Sequence, residues 1–181
     1  MTGPAGGGSP SPTPPPAPLI VTAVLPGPLQ ARADALRRTH FPPERNHLSA
    51  HVTLFHALPP SAEGEVRGLL ARLAREPAPA ARLTGLMSLG GGTALAIEST
   101  GMLAVREEIA QHLHGLLTAQ DRGRPRLHVT IQNKVLPADA KALQAGLAAN
   151  FQTLDFRFAG LALHRYLGGP WEPLGVWKFR G

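Results

Sequence analysis

Cysteine is absent from the 181-residue chain. That excludes disulfides, thiol nucleophiles and cysteine-ligated zinc or iron–sulfur centres, so any chemistry belongs to oxygen and nitrogen groups. Lysine is scarce, three residues against 15 arginines. No apolar run is long enough to span a bilayer, and the N-terminus lacks the basic start and continuous apolar stretch of a secretory signal. A cytoplasmic protein without a membrane segment is expected. Charge is missing from the first 18 residues, which hold seven prolines and four glycines instead. Such a segment buries too little apolar surface to offset its ordering entropy, so residues 1–18 are expected to form a disordered tail.

Residues 19–181 suit one domain, burying roughly 68–70% of the surface that the unfolded chain would expose. The net charge is +6 and rests on arginine. The planar guanidinium fork matches phosphate oxygens, so the charge favours a polyanionic partner without establishing one.

A tetrapeptide occurs twice, as His51-Val52-Thr53-Leu54 and His128-Val129-Thr130-Ile131, with the histidines 77 residues apart. The β-branched and aliphatic residues favour a strand, and a strand places His and Thr on one face. Alternation extends this face to Arg126, Gln132 and Lys134 around the second copy, with Leu127, Val129, Ile131 and Val135 opposite. Around the first copy Ser49, His51, Thr53 and Phe55 project together, and His56 is the one polar residue on the apolar side. Histidine donates or accepts a proton near neutral pH, and a threonine hydroxyl beside it can hold an anion. Two facing copies supply an acid, a base and two hydroxyls around one phosphate, without a metal.

Each copy sits in a strand, turn, helix succession. A strand over 19–25 and a helix over 29–38 precede the first motif strand at 50–57, which stops at Pro59-Pro60 before a helix bearing Val66, Leu69, Leu70 and Leu73. Segments 82–89 and 93–98 read as a hairpin about Gly90-Gly91-Gly92. The triplet lacks the lysine and helix start of a phosphate-binding loop, so the turn is favoured. A helix over 102–117, the basic loop Arg122-Gly123-Arg124-Pro125, the second motif strand and a helix over 137–149 follow. Strand-like segments at 153–158, 161–166 and 174–179 close the chain. His40, His47, His56 and His164 raise a metal alternative, but their spacings match no ligand cage and no acidic residue accompanies either His-x-Thr.

The paired tetrapeptides, their separation and the elements around them resemble the two-histidine (2H) phosphoesterase superfamily. Within it the chain is most similar to the bacterial 2′-5′ RNA ligase and RNA 2′,3′-cyclic phosphodiesterase group. Tyr166-Leu167-Gly168-Gly169-Pro170-Trp171 is similar to the closing segment of such proteins. The resemblance covers residues 19–181. It implies an α+β fold of two pseudo-symmetric lobes of mainly antiparallel sheet, with outer helices and a central cleft.

The implied reaction needs no metal and no cofactor. Water opens a terminal 2′,3′-cyclic phosphate to a 2′-phosphate, and in reverse a 5′-hydroxyl attacks the ring to form a 2′-5′ linkage. His128 is then the base that activates water and His51 the acid that protonates the departing 3′ oxygen, an order that can be swapped. Thr53 and Thr130 would hydrogen-bond the non-bridging oxygens. Many relatives carry an arginine shortly after the second motif, whereas Gln132, Asn133 and Lys134 stand here. Arg126 and Lys134 are left as candidate phosphate-binding cations, and Tyr166, Trp171 and Phe55 as candidates to stack on a base. The implied partners are RNA ends or small nucleotide cyclic phosphates, with no protein partner evident. Two further readings stay open: an RNA- or nucleotide-binding module with little turnover, and the same chemistry on a small substrate such as ADP-ribose cyclic phosphate. Intact His and Thr in both copies favour the enzyme.

Overall fold

Short runs of β-branched and aliphatic residues punctuated by proline and glycine form eight strands, and stretches with apolar residues at helical spacing form the helices. A computed structural model describes residues 17–180. The order is β1 (Leu19–Val24), α1 (Gly27–His40), β2 (Val52–Leu58), α2 (Glu63–Leu73), β3 (Ala80–Ser88), β4 (Gly92–Glu98) and α3 (Thr100–His112). Then come α4 (Ala119–Arg122), β5 (His128–Asn133), α5 (Pro137–Ala148), β6 (Leu154–Arg157), β7 (Gly160–Tyr166) and β8 (Trp171–Lys178). The expected tail falls almost wholly on residues 1–16, outside the described residues. At its end the Pro18 carbonyl already accepts the Tyr166 N–H at 2.9 Å.

The strands form two antiparallel sheets, ordered β2-β1-β7-β8 and β5-β4-β3-β6, with the helices outside them. This is the α+β, two-lobed architecture expected from the sequence. Each motif strand is the edge of its own sheet, and β2 and β5 touch where the sheets meet. One continuous apolar core runs through both, including Val21, Leu54, Val129, Ile131 and Leu163. The glycine triplet is the hairpin turn: Gly90 has φ +77°, a left-handed conformation suited to glycine, and Leu89 N–H closes onto Gly92 O at 2.9 Å. The helix expected over 102–117 stops at His112 and continues as a short 3-10 turn, while the last strand starts early, at Trp171.

Both motif strands carry a β-bulge at the same place. Thr22 pairs with Thr53 but Val21 with Phe55, which leaves Leu54 as the extra residue. Ala94 pairs with Thr130 but Thr93 with Gln132, which leaves Ile131 as the extra residue. A bulge reverses the alternation beyond it. Three expectations built on unbroken alternation are therefore corrected. Phe55 is fully buried beneath the Arg106 guanidinium, 4.7 Å from its ring, and cannot stack on a base. Gln132 turns away from His128 into the helix side, where it accepts a hydrogen bond from Thr93 Oγ1 at 3.2 Å. Lys134 lies beyond the strand in a left-handed turn, φ +61°, so no strand register carries it to the phosphate-binding position assigned to it. The same shift brings His56 out to the surface.

Two buried charged side chains cross between the halves. Arg37 of α1 donates to Asn46 Oδ1 and Leu48 O, each at 3.1 Å, and reaches over to Thr130 O of β5 at 2.8 Å. Asp121 of α4 reaches the other way. Its carboxylate accepts the backbone N–H of His56 and of Ala57, each at 2.9 Å, and the His56 ring at 3.0 Å, while Arg106 donates to its carbonyl. Burial works to raise the Asp121 pKa, yet these hydrogen bonds outweigh it and hold the carboxyl below its ordinary value. A depressed carboxyl pKa contributes stability that is complete above the unfolded value, about 3.9, and is lost as pH falls through the folded one. Asp121→Ala is expected to cost about 2–4 kcal/mol in urea unfolding at pH 7, by leaving the His56 and Ala57 N–H groups without their acceptor. Its stability should also decline less than the wild type's as pH drops below about 4; equal stability at pH 7 would show that this clasp carries no weight.

Candidate active site

α1 places the first motif. Its residues Gln30, Asp34 and Arg37 recur at i, i+4 and i+7 and so share one helix face. Asp34 Oδ1 accepts the Ala50 N–H at 2.6 Å and Gln30 Nε2 donates to Ala50 O at 2.8 Å, so both backbone groups just before His51 are held by side chains. Arg37 fixes Leu48 O on the same approach. None of these three was singled out in the sequence. The signal available was the polar stripe itself, running beside the apolar stripe of Leu29, Ala33 and Leu36.

The imidazoles are oriented alike. His51 Nδ1 lies 2.8 Å from Ser49 O, and His128 Nδ1 lies 2.7 Å from Arg126 O, in each case the carbonyl two residues earlier. A carbonyl only accepts, so each Nδ1 carries a hydrogen and each Nε2 is the nitrogen left for proton transfer. Arg126 thus contributes its carbonyl to the site, while its side chain is exposed. Thr53 and Thr130 are half-buried and follow their histidines on the same face of β2 and β5. The two motif strands meet, and the charges of Arg37, His164 and His128, in that order, oppose protonation of His51. Burial is the largest influence on His51; it and these charges outweigh the Ser49 carbonyl and pull the imidazole down to about 4.

The first-lobe wall is aromatic. Trp171, at the start of β8, packs its ring 4.6 Å from that of His51 and 5.3 Å from that of His164. His164 Nε2 is hydrogen-bonded to the buried Thr22 Oγ1 at 3.1 Å, and burial lowers its pKa. A cavity of about 460 Å³ opens here, lined by His51, His164, Trp171, Thr22 and the loop carrying His47 and Leu48. Tyr166 pairs with Trp171 across β7 and β8, shares the face of His164 and is 40% exposed at the rim. On the second lobe, Ala94 and Ala96 pair with Thr130 and His128. Ala96 borders a groove of about 790 Å³ that is also lined by Met87, Thr84, Arg82, Arg124 and Arg126 among others. Among the described residues, no three His, Asp or Glu side chains converge as metal ligands.

This arrangement can accept a proton at one imidazole, deliver one at the other and donate hydroxyl hydrogen bonds between them. Comparison with known proteins agrees with that chemistry at the level of the family. The family model described as the 2′-5′ RNA ligase superfamily matches residues 25–170. TT0787 of Thermus thermophilus is 21% identical, with a TM-score of 0.60 over 91% of this chain and 98% of that one. LigT of E. coli complexed with NADP+ is 17% identical, with a TM-score of 0.59 over 91% and 98%. The same protein complexed with 3′-AMP gives 16% and 0.57 over 92% and 99%. At these identities the likeness shows a shared fold. No curated protein matches the sequence. The family match over most of the chain, on a fold that brings two His-x-Thr strands face to face, makes the protein a member of the 2′-5′ RNA ligase superfamily of 2H phosphoesterases.

Proposed function

We propose that the protein is a metal-independent 2′,3′-cyclic phosphodiesterase acting on RNA ends or small nucleotide cyclic phosphates. The observation that carries this reading is the duplicated imidazole, each Nδ1 pinned by the carbonyl two residues back and each Nε2 left for proton transfer. LigT of E. coli, which has this fold, holds 3′-AMP and NADP+ in its solved structures, and nucleotides of that kind suit the cavity beside His51 here.

In the reaction the oxygen of water attacks phosphorus and one imidazole takes its proton. The bond from phosphorus to O3′ breaks, and the other imidazole protonates that oxygen, leaving a 2′-phosphate and a 3′-hydroxyl. Solvent then resets both protons. Thr53 and Thr130 hydrogen-bond the non-bridging oxygens as charge builds, each contributing about 2–4 kcal/mol by analogy with an oxyanion hole. With a 5′-hydroxyl in place of water, the same displacement breaks the bond to O3′ and forms a 2′-5′ linkage. The expected order made His128 the base. Burial keeps His51 neutral at pH 7 in the free protein, with its Nε2 lone pair available, so we assign His51 the acceptor role and His128 the donor role. Trp171 holds the His51 ring and, with Tyr166, presents aromatic surface to a terminal base.

A 2′,3′-cyclic-phosphate-terminated oligonucleotide incubated in excess EDTA should yield the 2′-phosphate. His51→Ala or His128→Ala should lower kcat at least about 100-fold without altering the circular dichroism spectrum; an active double variant would sink the assignment. A phosphodiester with a 4-nitrophenolate leaving group needs no proton donor. On it His128→Ala should recover most of its lost rate and His51→Ala none, whereas the opposite pattern restores the expected order. By NMR, the His51 ring should titrate near 4 in the free protein and move upward when phosphate is added, since a bound anion favours the imidazolium. A midpoint near about 6.5 that phosphate does not move would remove the ground for the acceptor role.

A further inference from the structure

Three arginines stand at alternate positions before His128: Arg122 as the last residue of α4, and Arg124 and Arg126 in the segment that follows it. All three are exposed, and none forms an ion pair among the described residues. By contrast Arg67, Arg72, Arg82 and Arg165 are each bound to a carboxylate. Arg122 and Arg124 line a depression of about 370 Å³ whose floor includes the buried Arg106, and Arg124 and Arg126 line the 790 Å³ groove. Leu103, Arg124 and Pro125 line both, so the two form one track along the strip. The chain leaves α4 extended at Gly123, with φ −70° and ψ 158°. The track meets the reaction centre at Arg126, whose carbonyl holds the His128 ring. Three carboxylates face it. Asp155 is neutralised by Arg82 at 2.6 Å, while Glu98 and Glu107 remain, so the strip keeps an excess of positive charge.

We infer that this strip binds the phosphates of a single-stranded RNA on the 5′ side of its cyclic end. The inference rests on the cyclic phosphodiesterase reading and adds a polarity to it. The terminal nucleoside occupies the aromatic cavity of the first lobe, the cyclic phosphate lies between His51 and His128, and the preceding nucleotides follow Arg126, Arg124 and Arg122 across the second lobe. Repeated arginines without carboxylate partners suit a chain of phosphates better than one small anion, and phosphate contact supplies affinity without reading sequence. A mononucleotide cyclic phosphate fills the cavity and the centre but leaves the strip empty.

The test compares a hexaribonucleotide ending in a 2′,3′-cyclic phosphate with a mononucleoside 2′,3′-cyclic phosphate, across a salt series. The variants are Arg124→Ala, Arg124→Glu and Arg122→Ala with Arg124→Ala; Arg124 makes no hydrogen bond through its side chain among the described residues, so its replacement leaves the fold intact. Wild type should favour the hexamer in kcat/KM by about 10-fold or more at low salt. The double variant should lose that preference and keep the mononucleotide rate within about twofold. Its salt dependence for the hexamer should be shallower by about 1.4 in logarithmic slope, two phosphate contacts at about 0.7 each. Equal loss on both substrates, or no preference and no salt slope in the wild type, overturns the inference. Fluorescence anisotropy with the same hexamer ending in a 3′-phosphate separates the two proposals. Binding weakened by Arg124→Glu in a protein that turns over neither substrate keeps the strip and discards the reaction; binding indifferent to that change discards the strip.

Discussion

Everything at the cleft depends on two buried charges that each reach from one half of the molecule to the backbone of the other half's motif strand. Burying a charge is costly unless its hydrogen bonds are made, so such a group fixes the position of its acceptors or donors closely. Arg37 leaves α1 and ends on Thr130 O, the residue of the second motif whose hydroxyl faces the cleft. Asp121 leaves α4 and ends on the backbone N–H groups of His56 and Ala57, downstream of the first motif. The two contacts are reciprocal, and together they hold β2 against β5. Arg37 also stacks over Phe41 at 4.3 Å and anchors Leu48 O, so one guanidinium organises the approach to His51 and the far strand. The same cation opposes protonation of His51. The element that locks the halves together therefore also adds to the burial that keeps one imidazole neutral.

The repeat is deeper than four residues. Each copy has its ring nitrogen on the carbonyl two residues back, and each has its bulge at the aliphatic residue after threonine, Leu54 or Ile131. The bulge has a chemical consequence. It lets an edge strand present two polar side chains, His and Thr, and then turns the next residue, Phe55 or Gln132, into the interior. Without it, alternation would put Phe55 into the cleft beside Thr53 and occupy space a phosphate needs. Packing against the core and presentation of the reactive pair are thus satisfied by a backbone irregularity at the same place in each half.

How far the sequence discloses this follows from what a side chain type can report. Strand and helix positions were legible because β-branched runs, proline stops and apolar spacing are local properties. The His-x-Thr pairs were legible because the same unusual pattern occurs twice. The bulges were not, since an extra residue in one strand leaves no mark on composition; the misplacing of Phe55 follows from that, and that of Lys134 from the left-handed turn after the strand. Arg37 and Asp121 look like any surface charge in a helix. Their partners are main-chain groups 93 and 64 to 65 residues away, which no spacing rule connects. His56, the polar residue out of step in the first motif strand, was the one visible trace: its ring and its N–H both bind Asp121.

A scaffold built from two similar halves has no intrinsic preference for which way round a substrate lies between them. Both imidazoles are held in the same manner, and both threonines sit on equivalent strands. Direction must therefore come from the walls, and the walls differ. The first lobe offers Trp171, Tyr166 and His164, surfaces on which a base can stack. The second offers alanines beside the motif and arginines beyond it, surfaces along which a phosphodiester chain can lie. Stacking rewards a planar base at the end of a chain, and unpaired arginines reward the charge that repeats behind it. On the proposed reading, duplication supplies the acid and base, and divergence of the two walls supplies the orientation that decides which oxygen leaves.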